Sequence, residues 1–476
     1  MSSNQQVVNQ SPIVAEQMKY DYQIDYNNAA KTVIATALGE VPVVGFALSA
    51  LVEIFWPQSQ EDIWEEIKDN VEQLVDQKIS DLVYQQVQES LTGLHNNLQD
   101  YLWALQNSQD NNYISQKYNI TLALFNQELP HFQSKGYELL LLPLFTQFAN
   151  LHLSLLRDGV LYGSEWGWTE EIIQHTKDTI SATIQQYIPY TEATYSNGLN
   201  ATTANAPTNS HNTEPFCTIN RFVREMTLTV LDFKSMWIYN DPTLYPEPVQ
   251  VILEREIYSD PFGTADNSGP ISLPLPPTKP ITKLEVWAWD RIDACQVTYE
   301  AGGGPGGVTQ TARMGDKNGG ASNVFDLTKL GPVVGVTVYS GTILNSWYLT
   351  FSDGSTSSQI GGKYPGGNEY NVSYPGEMLS SIKIMGTSYY YGSADCAVFG
   401  FKFNPNATPD PSVLRLMYES SPKELSPHEL ARYAKAEDVD GYAARIQQWS
   451  QMYHWDVGRR KRWEVIRDFI QSQRSN

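Results

Sequence analysis

The chain has 476 residues, room for about three domains at roughly 150 residues each, so a single small binding module is excluded. Hydrophobic residues at 41% and aromatics at 12% exclude a disordered or low-complexity chain. Against 32 Lys and Arg stand 53 Asp and Glu, and the net charge of −21 makes the molecule as a whole a poor ligand for nucleic acid or anionic lipid.

Residues 1–25 read as a disordered leader. It has no basic stretch followed by an apolar one, so no signal peptide is expected, and release from the producing cell needs a non-classical route. From 26 to about 240 helical periodicity dominates and predicts a helical bundle. Within 62–105, Ile63, Ile67, Val71, Leu74, Val75, Ile79, Leu82, Val83 and Val87 recur at spacings of three and four, the mark of long amphipathic helices, with a loosening near Thr92 and Gly93.

The segment 139–156, LLLLPLFTQFANLHLSLL, is apolar on nearly every face. Either other helices enclose it or it spans a membrane, for which its length is at the lower limit. Gln147, Asn150 and His152 favour enclosure in the soluble form, because buried polar groups need partners that helices provide and lipid does not. Residues 191–215, rich in Asn, Thr, Ser and Ala, read as an exposed linker. A further helix over 221–238 carries Phe222, Met226, Val230, Phe233 and Trp237 along one stripe.

Beyond 261 Gly and Pro cluster and period-two runs appear at 284–289, 334–339, 347–351, 382–384 and 398–403, predicting an all-β domain over 262–404. Residues 405–476 turn helical again and carry 11 Lys and Arg against 10 Asp and Glu, so this extension is electrostatically distinct from the acidic body. The cysteines Cys217, Cys295 and Cys396 have no metal or disulfide spacing and read as small buried hydrophobes. No nucleophile elbow, phosphate loop or zinc signature occurs, so no catalytic residue, cofactor or metal is expected and the chain is not read as an enzyme.

Two blocks carry a resemblance. The first covers Leu142-Pro143-Leu144, ANLHLSLLRD at 149–158, Tyr162-Gly163 and Trp166-Gly167. The second covers NRFVREMTLTVLD at 220–232, Tyr239-Asn240-Asp241, Tyr245-Pro246 and LEREIYSDP at 253–261. Together with ALGEVPVVG at 37–45 and IFWP at 54–57, they resemble the pore-forming domain of the three-domain insecticidal crystal (Cry) delta-endotoxins. Residues 333–403, with YSG at 339–341, LTFSDG at 349–354, Gly361-Gly362 and PGE at 375–377, look like a jacalin-like β-prism, the architecture of the middle domain of those toxins. A bundle plus one prism, without the third domain, is most similar to the PirB component of binary Pir toxins. The expected domains are therefore a pore-forming bundle over 26–261, a receptor-binding prism over 262–404 and the helical extension.

The resemblance implies a pore-forming insecticidal toxin acting extracellularly at the membrane of gut epithelium. Its partners would be a host-cell receptor (a glycan or glycoprotein), the target membrane, further copies of itself in the pore and a small PirA-like lectin subunit. The inserting hairpin would comprise 113–129, the turn 130–136 and the apolar helix. Its pore residues would be Glu128, Leu139, Leu140, Leu141, Leu142, Pro143, Leu144, Phe145, Gln147, Asn150, His152 and Leu155, with Glu128 favouring cations. The alternative for Glu128, Gln147, Asn150 and His152 is a purely structural hydrogen-bonding role. Tyr364, Tyr389, Tyr390, Tyr391 and Asp395 would bind sugar or receptor, although GSAD at 392–395 is one residue shorter than the jacalin Gly-x-x-x-Asp loop. Lys19 and Lys31 are candidate sites of proteolytic activation. The competing function is a non-lytic, lectin-like carbohydrate-binding protein whose helices form an oligomerisation domain.

Overall fold

The computed structural model describes residues 25–39, 45–57, 62–207, 213–247, 249, 251, 253–263, 271, 273, 275–316, 318–341, 343–362, 367–385 and 394–404. The expected leader, the extension 405–476, Lys19, Tyr364, Tyr389, Tyr390 and Tyr391 lie outside them. Among the described residues the chain forms two compact units, a helical one (29–194 and 230–251) and a sheet unit (25–28, 195–229 and 252–404).

The helical unit is built from α1 (Asp25–Gly39), α2 (Phe46–Phe55), α3 (Ile63–Val75), α4 (Asp81–Asn107), α5 (Asn111–Glu128), α6 (Glu138–Tyr162), α7 (Glu170–Asn205) and α9 (Asp232–Trp237), with a 3-10 turn at Leu129–Gln133. α1 and α7 run past its limits at their ends. Local chemistry sets several helix starts: Asp62 accepts from the amide of Glu65 at 3.1 Å, Ser80 from Val83 at 3.4 Å, and Asp110 from Asn112 and Tyr113 at 3.0 and 3.3 Å. Lys31 on α1 and Asp232 on α9 form a buried ion pair at 3.0 Å.

Two expectations are corrected. α4 runs unbroken through Thr92 and Gly93, and the chain breaks earlier. There Asp76 takes a left-handed φ of 53° and the Glu72 carboxylate accepts the Ile79 amide at 2.7 Å. The supposed linker at 191–215 is helical as far as Asn205. Ile184, Tyr187, Thr191 and Thr194 continue one buried stripe there, and packing outweighs the weak helix propensity of Thr and Asn.

The sheet unit starts with α8 (Thr213–Met226), which continues through a π-helical turn, Thr227–Leu231. Its strands are β1 (Glu256–Tyr258), β2 (Phe262–Gly263), β3 (Ile281–Ala288), β4 (Ile292–Tyr299), β5 (Met314–Gly315), β6 (Ala321–Asp326), β7 (Val333–Ser340), β8 (Leu344–Phe351), β9 (Ile360–Gly361), β10 (Asn368–Ser373), β11 (Glu377–Met385) and β12 (Cys396–Phe403). They form three four-stranded antiparallel sheets: β12 between β11 and the short β1 and β2, then β10-β7-β8-β9, then β5-β4-β3-β6. Alternate residues of all three point into one core that joins Leu284, Val286, Val338, Trp347, Phe399 and Phe401. The Trp347 and Phe399 rings lie 5.3 Å apart, edge to face. Strand β1 precedes the expected boundary at 261 yet pairs with β12, so the sheet unit takes in residues that the change of composition left with the helices.

Asp260, following β1, is buried between two guanidinium groups. Arg221 Nε donates to its Oδ2 at 2.7 Å and Arg224 Nη1 to its Oδ1 at 3.0 Å. Burial pushes this carboxyl up, but Arg224 and Arg221 outweigh that and hold it below its ordinary value. A depressed carboxylate supplies stability that is complete above the unfolded-state pKa of about 3.9 and lost as pH falls through the lower folded-state value. Urea midpoints of the sheet unit should therefore fall as pH drops below about 4, and Asp260→Asn should remove part of that dependence. The same variant should cost about 3–5 kcal/mol at neutral pH, because Arg221 loses the carboxylate it faces and Arg224 keeps only Glu225, at 3.3 Å.

Candidate functional site: the enclosed helix and its hairpin

Helix α6 is the one candidate membrane span among the described residues, 25 residues long and almost wholly buried. Leu140, Leu141, Leu142, Leu144, Phe145 and Leu155 are at most 3% exposed; Pro143 is buried within the helix and Leu139 lies half-buried at its start. The sheath comprises α2, α3, α5 and α9, joined by α4 and α7 through side-chain contacts. Phe145 meets Tyr187 and Tyr190 of α7 edge-on at 5.1 and 4.8 Å.

The polar groups of α6 are paired in two ways. Thr146 and Ser154 return their hydroxyls to carbonyls of their own helix, Leu142 at 2.8 Å and Asn150 at 2.7 Å. Asn150 and His152 reach other helices. Asn150 Nδ2 donates to Gln147 Oε1 at 2.8 Å, and its Oδ1 accepts from Trp237 Nε1 of α9 at 2.8 Å. His152 Nδ1 lies 2.7 Å from the Tyr187 hydroxyl, while its ring stacks on Phe125 at 5.0 Å. The other ring nitrogen, Nε2, is buried with no hydrogen-bond partner. Asn150 and His152, two of the expected pore residues, thus make polar bonds from α6 to α9 and α7 in this fold.

α5 and the turn that follows it pack on α6 at both ends of the pair. At the turn end, Phe132 is fully buried with its ring 4.4 Å from Phe148, and Phe125 lies 5.2 Å from Phe148. Glu128 is buried there, accepting from Ser90 of α4 at 2.5 Å and facing His131 Nδ1 at 3.0 Å. At the open end Tyr118 fits a notch in α6: a Cβ on Gly159 would lie 2.3 Å from its hydroxyl oxygen. Trp166 and Trp168 pack on the same ring at 5.3 and 5.1 Å, and Trp168 Nε1 donates to Ser115 Oγ at 2.7 Å. The Tyr118 hydroxyl is buried without a partner.

The remaining expected residues are not gathered into this site. Lys31 is buried in α1 and ion-paired, so a protease reaches it only after that helix opens. Asp395 is 2% exposed at the start of β12. Sequence reading did not single out Ser90, Tyr118 or Tyr187, and it placed Trp237 on an apolar stripe without pairing it to α6; the one available signal was the pair Trp166 and Trp168 beside the glycines Gly159 and Gly163.

Comparison with known proteins agrees with this arrangement. Residues 33–241 match the family described as delta endotoxin, N-terminal domain. Pesticidal crystal protein Cry8Ba of Bacillus thuringiensis serovar kumamotoensis is 34% identical over 243 residues, 49% of this chain and 20% of that protein. Cry26Aa of B. thuringiensis subsp. finitimus is 35% identical over 248 residues, 50% of this chain and 21% of that protein. The chain thus spans about a fifth of the length of these curated relatives. Among solved structures, the insecticidal crystal protein Cry7Ca1 of B. thuringiensis superposes with a TM-score of 0.68 at 23% identity, over 82% of this chain and 76% of that one. PirB superposes with a TM-score of 0.67 at 18% identity, over 82% of this chain and 97% of that one. The helical unit falls largely within the span that matches the delta-endotoxin N-terminal domain. The described chain as a whole has the fold of the Cry-type delta-endotoxins, in the two-part layout of PirB.

Trp237→Phe keeps the ring of α9 in place but leaves the Asn150 oxygen without its donor. Urea denaturation should register a loss of about 1–3 kcal/mol; an unchanged midpoint would show that this bond does not hold α6.

Proposed function

We propose that the chain is a pore-forming insecticidal toxin. Its sheet unit, read as a jacalin-like β-prism, binds a glycan or glycoprotein receptor on gut epithelium, and the α5–α6 hairpin leaves the bundle and enters the membrane. The observation that carries this reading is α6 itself: a helix of membrane-spanning length and apolarity, enclosed on all sides and coupled to one neighbour through an aromatic seam. Exchanging protein for lipid keeps its apolar side chains out of water, so each Leu retains the roughly 1.5–3 kcal/mol of its burial. What the exchange loses is packing and the bonds to Tyr187 and Trp237.

α5 suits the second strand of such a hairpin. Its outward positions Asn111, Asn112, Gln116, Asn119, Ile120, Ala123, Asn126 and Gln127 are uncharged and mostly polar, and Lys117 is its one cation. Several copies would present these polar faces to a lumen, with Glu128 at one mouth favouring cations. For recognition the sheet unit displays Trp289, 73% exposed between β3 and β4, with the Arg313 guanidinium 4.0 Å above the nearby Trp287 ring. Tyr364, Tyr389, Tyr390, Tyr391 and Asp395 are proposed contributors to the same recognition, and a small PirA-like lectin subunit is a proposed partner. Action is from outside the target cell.

A lock between α4 and α5 tests the hairpin. A Cβ on Gly93 of α4 would lie 3.7 Å from Leu124 Cδ2 of α5, so Gly93→Cys with Leu124→Cys places two thiols across that contact. Dye release from gut brush-border vesicles should disappear on oxidation and return with dithiothreitol. Equal release from the oxidised and reduced forms would rule out departure of the hairpin. Glycan binding without release in either form would instead favour a non-lytic lectin.

A further inference from the structure

We infer that the aromatic clamp of Tyr118, Trp166 and Trp168 is the membrane-interface anchor of the inserted hairpin, its partner being the headgroup–acyl boundary of a phospholipid bilayer on the side from which the hairpin enters. This rests on the hairpin reading above and adds where the hairpin stops.

Position is the first ground. The apolar run ends at Leu156, and Arg157 and Asp158 follow it directly. The clamp sits at that level, because Tyr118 occupies the notch at Gly159, and Trp168 occupies the next notch, where a Cβ on Gly163 would lie 2.4 Å from its ring. At 1.5 Å per residue the 18 residues before this level span about 27 Å, close to the ~30 Å hydrocarbon thickness. At the far end Lys135 and Glu138 flank the turn. Charge thus bounds the apolar length at both ends, and two indoles with a phenol collect at one of them, the distribution found where helices meet the lipid–water boundary.

The second ground is a polar atom with nothing to do in the soluble fold. The Tyr118 hydroxyl is buried, 1% of the residue being exposed, and has no hydrogen-bond partner. At an interface the same hydroxyl meets water and lipid carbonyls while its ring stays in an apolar surrounding.

The third ground is that the clamp travels with the hairpin. Tyr118 and Ser115 belong to α5, and the two tryptophans follow α6 directly. The Trp168–Ser115 bond and the bond from Asn111 Nδ2 to the Glu165 carbonyl, at 2.6 Å, both lie within this piece. Among the described residues of the helices left behind, Tyr101 of α4 contributes a ring to the cluster, 6.2 Å from Trp166 and 5.9 Å from Tyr118.

The test places a probe beside the clamp in the full-length chain. Ser164 is exposed in the turn before Trp166, while Cys217, Cys295 and Cys396 are buried, so Ser164→Cys can be labelled selectively with a nitrobenzoxadiazole maleimide. Gut brush-border vesicles supplemented with phosphatidylcholine carrying a nitroxide at acyl carbon 5 or carbon 12 then report depth, with dye release read in the same samples. Quenching at least twofold stronger from carbon 5 than from carbon 12, accompanied by release, is the expected result. Release with a probe that neither nitroxide quenches and aqueous iodide quenches fully would overturn the anchor and leave the pore reading standing; absence of release would overturn both. As a second measure, Trp168→Phe keeps a ring in the Gly163 notch but loses the indole N–H, and should slow release about threefold, with Trp168→Tyr restoring it. Equal rates for Phe, Tyr and Trp would reduce the cluster to packing.

Discussion

The helical unit depends on the enclosure of a helix that water cannot solvate. A helix apolar on one face chooses its neighbours by that face, but α6 is apolar nearly all round, so helices must close over every side of it. Six of them do. The buried ion pair of Lys31 and Asp232, the tie from Ser181 to Asp241 and the bonds from Tyr187 and Trp237 follow from that requirement, since each fixes part of the sheath. The arrangement is cohesive without being committed to water. Most of what stabilises α6 is the absence of water around it, a condition that more than one surrounding meets.

The sheet unit is organised differently. Its stability comes from three sheets sharing one core and from a charged junction at Asp260, which joins α8 to the segment after β1. Buried ion pairs are weak devices for stability but strong ones for register, since a shifted pairing strands a charge. Arg221 and Arg224 lie one helical turn apart and converge on a single carboxylate, which fixes both the rotation and the height of α8 against that segment.

Much of this was legible in the chain. Period-two runs located five of the longer strands, and the apolar segment at 139–156 announced an enclosed helix, because both signals come from burial, which leaves a pattern along the sequence. The misread segments are instructive. Residues 191–205 look like a linker by composition, yet a buried stripe through Thr191 and Thr194 keeps them helical; small polar residues carry little pattern of their own. The break at 76–80 depended on one left-handed aspartate, and no periodicity reveals that. Partners such as Tyr187, Trp237 and Tyr118 were illegible for a plainer reason. A sequence shows that Asn150 and His152 need partners, but which side chain arrives from 35 or 87 residues away is decided by tertiary packing.

The composition of α6 has an electrical consequence. Although the protein carries 53 acidic residues, none lies between Leu139 and Leu156, and no lysine or arginine does either. Carrying one elementary charge through a potential of 100 mV takes about 2.3 kcal/mol, and this stretch carries no fixed charge. A transmembrane voltage therefore does no work on this stretch itself, and acts only through the charged groups at its two ends, Lys135 and Glu138 before it and Arg157 and Asp158 after it.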